Sequence, residues 1–108
     1  MHMPRDERLF IEEKARVLKA LGHPTRLRLF EELRNGERCV CDLATTVGAG
    51  FPAVSKHLSV LKQAGLVDDD KRGQQVFYKI RVPCIFQFIN CIEAVIENRV
   101  RSDAALVA

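Results

Sequence analysis

CVCDLATTVGAGFPAVSKHLSVLKQAGL, residues 39–66, decides the fold. Leu43 and Val47 lie four apart and Gly48 stops the run, which predicts a short helix. Gly50-Phe51-Pro52 then resets the chain. Pro52 suits the first turn of a new helix, where its missing N–H would have had no partner in any case. Val54, Leu58 and Leu61 form one apolar stripe that runs to Gly65. A short helix, a tight turn and a longer helix, over about residues 41–65, make a helix-turn-helix.

Beyond Leu66 the period changes from helical to two. Val76, Tyr78 and Ile80 alternate with Phe77 and Lys79, and the polar run DDDKRG precedes them. Residues 66–81 therefore read as a β-hairpin whose tip carries Lys71, Arg72 and Gly73, a wing following the longer helix. Pro83 opens a last helix, about 83–100, in which Ile85, Phe88, Ile89, Ile92, Val95 and Ile96 share a broad apolar arc with Cys84 and Cys91. From Ser102 onward there is no periodicity, and fraying is expected.

On the other side of the opening stretch, Phe10, Val17, Leu18 and Leu21 mark one face of a first helix, about 6–21. Gly22 is expected at its end in a left-handed conformation. Pro24 starts a second helix with Leu27, Leu29, Phe30 and Leu33 inward, and His23 before it reads as a cap or hinge residue. The fold class is thus mainly α with a small β-hairpin, a winged helix-turn-helix, in one domain over residues 1–108. So small a domain has little core for both terminal helices. The first and last are expected to bury their apolar faces against a second copy across a twofold axis.

The composition agrees: 108 residues, 47% hydrophobic and 29% charged, with six Gly and four Pro, is that of a globular helical chain. No apolar run approaches a membrane-spanning length and the first residues do not resemble a secretory leader, so a cytoplasmic protein without membrane partners is expected. The net charge of +3 is small, but it is concentrated. Residues 52–81 hold six Lys or Arg (Lys56, Lys62, Lys71, Arg72, Lys79 and Arg81) against Asp68, Asp69 and Asp70, again +3. Helix-turn-helix readers place the second helix in the major groove of duplex DNA. Ser55, Lys56, His57, Ser59 and Lys62 are the candidates on that helix, with Lys71 and Arg72 on the wing meeting phosphates.

The four cysteines suggest ligands, sensors or small core residues more than a disulfide framework in a reducing compartment. In a regular helix the side chains of Cys39 and Cys41 would point about 200° apart. They can share an ion only if the helix begins unwound. Such a pair is a soft donor set, favouring thiophilic ions over Mg or Ca, and it is too small for a closed tetrahedral zinc site. Asp42, a histidine, water, or Cys84 and Cys91 are the candidate additional donors. Cys84 and Cys91 are roughly 10 Å apart along one helix and cannot bridge each other.

KALGHPTRLRLFEEL (19–33), CVCDLA (39–44), PAVSKHLSVLKQAGLV (52–67) and VFYKI (76–80) together resemble the ArsR/SmtB family, small winged-helix repressors released from DNA by metals or metalloids. The resemblance implies a homodimer that binds an inverted repeat in double-stranded operator DNA. It also implies an inducer site at Cys39 and Cys41, with As(III) or Sb(III) ahead of Cd(II), Pb(II) and Zn(II), and no cofactor needed for DNA binding. Ala44 stands where the arsenite sensors place a third cysteine, the N-terminus lacks the cysteines of the cadmium and lead sensors, and VPCIFQFINCIEAV (82–95) lacks the Asp and His of the zinc sensors. Phe51 replaces the polar residue usual before the reader's proline. Two other classes compete: the same DNA-binding regulator with a redox or persulfide switch, and a thiol enzyme. The enzyme reading is disfavoured by the lack of a thioredoxin-like pattern and of a histidine placed to activate a thiolate.

Overall fold

A computed structural model describes residues 6–107, with side chains through residue 104. Five helices and three short strands follow in the order α1 (Glu7–Leu21), α2 (Pro24–Glu32), β1 (Arg38–Cys39), α3 (Val40–Val47), α4 (Phe51–Gln63), β2 (Val67–Arg72), β3 (Gln75–Ile80) and α5 (Ile85–Val107). Leu29, Phe30, Leu33, Leu43, Val54, Leu58, Leu61, Leu66 and Val67 are sealed from solvent, so α2, α3, α4 and the base of the wing share one core. The α4 stripe read from the sequence is its centre.

Local chemistry explains the helix ends. The Asp6 carboxylate accepts from the amides of Arg8 and Leu9 and caps α1. His23 caps α2, its Nδ1 accepting from the Thr25 N–H at 3.1 Å. Gly48 closes α3 in the left-handed region, at φ 70°. Gly22 differs from expectation, with φ −78°. The end of α1 is closed instead by Arg26, whose guanidinium donates to the carbonyls of Ala20 at 2.6 Å and Lys19 at 3.3 Å.

The wing is a three-stranded antiparallel sheet of order β1-β3-β2. Its hairpin is the expected one, with Arg72 opposite Gln75, and turns through Gly73 at φ 61°. The addition is β1, which sets Arg38 opposite Tyr78 and Cys39 opposite Phe77. Two residues are too few for an alternating pattern to announce a strand.

The last helix also departs from expectation: it continues to Val107. Ala104, Ala105 and Leu106 are strong helix formers with no Gly or Pro among them to stop the run. Among the described side chains of α5 only Ile89 is buried, while Phe88, Ile92, Val95, Ile96 and Val100 face outward together with Leu9, Phe10, Ile11 and Leu18 of α1. An apolar groove of about 350 Å³ runs between the two helices, lined by Val17, Leu18, Ile85 and Phe88 with Lys14 at its edge.

Candidate functional site

Cys39 is the last residue of β1 and the N-cap of α3, with extended φ −78° and ψ 157°. The helix therefore begins one residue after it, which is the unwound start that a shared ion requires. The two sulfurs converge to 3.3 Å. Cys39 Sγ also accepts from the Asp42 N–H at 3.4 Å, so it caps the helix and faces Cys41 at once. Cys39 is half-buried and Cys41 exposed. Interaction with the Cys39 sulfur, followed by burial, holds the Cys41 thiol above its ordinary range.

Asp42 points into a different arrangement. Arg38 Nε donates to its carboxylate at 2.8 Å, while Arg38 Nη1 donates to Glu32 at 2.7 Å and Nη2 to the Thr46 hydroxyl. The Arg38 contact holds Asp42 below the usual carboxylate range. One guanidinium thus ties α2, β1 and α3 together beside the thiol pair. Among the described residues, no group of three or more His, Cys, Asp or Glu side chains is placed to hold a metal ion. Ala44 is packed into the core, and Cys84 and Cys91 are exposed near the start and along α5.

The candidate DNA-reading residues fall into two groups. Lys56 on α4 and Lys71 on β2 are exposed, and among the described residues neither makes an ion pair; Ser55 and Ser59 on α4 are half-buried. Gly50 at the N-cap has no side chain to satisfy the first amides of α4, and Phe51 beside it is exposed. Lys62 is held by Asp69 at 2.9 Å, and this contact raises its pKa. Arg72 is held more tightly, by both carboxylate oxygens of Glu37 at 2.7 and 3.0 Å and by Asp70 at 2.9 Å, with its guanidinium over the Phe77 ring. Glu37 in turn has its pKa lowered, chiefly by Arg72.

His57 turns toward α2. Its ring lies 4.5 Å from that of His23, and Arg26 Nη1 donates toward its Nδ1 at 3.4 Å, which fits a neutral ring with Nδ1 unprotonated. Burial first, then electrostatic interaction with His23, Arg26 and Lys56, pushes its pKa below the ordinary value.

Sequence reasoning missed Glu37 and Arg38. Arg38 and Asp42 have helical i,i+4 spacing, a signal that was present although Arg38 itself lies in a strand. Glu37 and Arg72 are 35 residues apart, and no local pattern connects them.

Residues 23–69 match the model of the family described as bacterial regulatory protein, arsR family. The chain is 35% identical over 92 residues to a biofilm growth-associated repressor of Xylella fastidiosa, covering 84% of this chain and 81% of that protein. It is also 35% identical over 77 residues to an arsenic resistance transcriptional regulator of Pseudomonas putida, covering 70% of this chain and 59% of that one. The fold matches a solution structure from Mycobacterium bovis with a TM-score of 0.77 and 28% identity, over 94% of this chain and 95% of that one. That protein is described as a homodimeric winged helix-turn-helix DNA-binding domain of a possible ArsR-family regulator.

Proposed function

The chain belongs to the ArsR family of bacterial regulatory proteins, and from that premise we propose that it is a homodimeric operator-binding repressor released by As(III) or Sb(III) at Cys39 and Cys41. The observation that carries the inducer reading is the 3.3 Å separation of the two sulfurs. With metal–sulfur bonds of about 2.3 Å, a tetrahedral angle needs sulfurs about 3.8 Å apart, whereas the near-right angle of a pyramidal lone-pair ion needs about 3.3 Å. The pair as it stands suits a small pyramidal ion such as a trivalent metalloid better than tetrahedral Zn(II).

When bound, the ion supplies soft Lewis acidity and displaces the thiol protons. Cys39 and Cys41 hold it, and a water-derived or small-thiol donor completes the set, because Asp42 is committed to Arg38. Cys39 is both a rung of the wing sheet and the cap of α3, so its reorientation bears on Phe77 and on Leu43, which is sealed in the core beside α4. A ligand releases DNA only through such a difference in its affinity for the two arrangements. On the DNA side, Ser55, Lys56, Ser59 and Lys62 belong to the reader helix, and Lys71 and Arg72 to the wing, while His57 backs the reader from its α2-facing side. The outward apolar faces of α1 and α5 form the subunit interface.

Fluorescence anisotropy with operator DNA tests this reading. Arsenite or antimonite is expected to weaken binding roughly 5- to 150-fold, the range of typical allosteric couplings. A change of less than a few-fold with every thiophilic ion removes the inducer assignment. The accessible, adjoining thiols favour a second reading, a redox or persulfide switch in the same repressor. Mass spectrometry under oxidant separates the two: a reversible sulfur linkage that tracks loss of DNA binding supports the switch, and metal release without one supports the metalloid.

A further inference from the structure

Three of the basic groups on the reader helix and wing already have a carboxylate beside them within the chain. Lys62 pairs with Asp69 at 2.9 Å, Arg81 approaches Asp68 at 3.9 Å, and Arg72 pairs with both Asp70 and Glu37. The aspartates all lie on β2 and move with the wing. Glu37 is different, since it comes from the connection between α2 and β1, two residues before Cys39. Its two oxygens meet Nη1 and Nη2 of Arg72 in the parallel, two-pronged geometry by which a guanidinium also takes a phosphate. Asp70 occupies Nε, and Phe77 covers one face of the guanidinium plane. The polar edges of Arg72 are thus spent on two carboxylates, and the charge of the three side chains together is negative.

We infer that Glu37 is an intramolecular competitor of DNA phosphate for Arg72, so that the wing arginine engages the backbone only by exchanging this carboxylate for a phosphate. The inference rests on the DNA-binding reading above and adds a residue that sets the strength of the contact. Glu37 holds the wing tip in a self-neutralised state, and the same contact joins the tip to the segment that carries the thiol pair. Because the competitor stands outside the hairpin, any rearrangement of residues 37–39 alters how freely Arg72 is released.

The test uses the full chain and a fluorescein-labelled duplex of arbitrary sequence, with affinity measured across a salt series. Glu37→Gln is expected to bind roughly twofold to fivefold tighter per wing, the scale of an exposed ion pair. Its plot of log affinity against log salt is expected to steepen, by up to about 0.9 per wing, the value for one phosphate contact that Glu37 withholds from Arg72 in the wild type. Glu97→Gln, the same change of net charge on the exposed side of α5, is expected to produce neither effect. In the double variant Glu37→Gln, Arg72→Gln the gain disappears. Weaker binding by Glu37→Gln, an unchanged slope, an equal gain in Glu97→Gln, or a gain that persists without Arg72 overturns the proposal. Failure of the wild-type protein to bind any duplex overturns the DNA-binding reading itself, a result distinct from these.

Discussion

Cys39 occupies the point where strand geometry ends and helix geometry begins, and that position lets its sulfur meet the one on Cys41. Cys39→Ser and Cys41→Ser are each expected to retain DNA affinity within about twofold while losing the response to arsenite, so that the coupling of roughly 5- to 150-fold collapses toward unity; paired anisotropy titrations with and without the ion check this. His57 gives a prediction with a definite sign. Burial and its positively charged neighbours lower its folded pKa beneath the ordinary 6.5, so the unfolded chain takes up the proton first. Its contribution to stability is complete above that value and is lost as pH falls through the lowered one. Urea melts at about pH 7.5 and about pH 5 are expected to show a smaller acid loss in His57→Gln than in the wild type. The cysteine requirement was legible in the sequence, because two side chains at i and i+2 converge only outside a helix. The inward turn of His57 was not, since its partners His23 and Arg26 lie outside its own helix.

At the scale of elements, the helix-turn-helix was readable because its buried side chains repeat at helical spacing and its punctuation is glycine and proline. Val54, Leu58 and Leu61 are all sealed in the core. Leu58→Ala is expected to destabilise the protein by about 2–5 kcal/mol, measured by urea denaturation. At Gly48 the required φ of 70° makes alanine unfavourable although space for its methyl group exists; Gly48→Ala is expected to cost about 1 kcal/mol on the same measurement. Gly22 shows the limit of reading glycine as punctuation: it follows a helix, but Arg26 supplies the closure that a left-handed turn would otherwise provide. The strand β1 was hidden because its evidence lies wholly in the partner strand. The hairpin alone accounts for the alternation of Val76, Tyr78 and Ile80, whereas the pairing of Arg38 and Cys39 depends on how α3 docks.

For the whole molecule, the terminal helices present more apolar surface than the chain itself covers, with Phe88 44%, Ile92 41% and Val95 61% exposed. Ile92→Asp is expected to place a charge in the proposed subunit interface and convert the proposed dimer to monomer, read by analytical ultracentrifugation, with loss of high-affinity binding to an inverted repeat. The apolar arc of α5 already pointed to this face, while the helix's extension through Val107 followed from propensity that an amphipathic pattern does not register. Within the chain, two rungs of backbone pairing join the thiol pair to the wing. So short a ladder opens locally with little free energy compared with the core around Leu58. The amides of Cys39 and Phe77 are therefore expected to exchange with deuterated solvent together, and an ion held by Cys39, as proposed, is expected to slow the exchange of a strand it never touches.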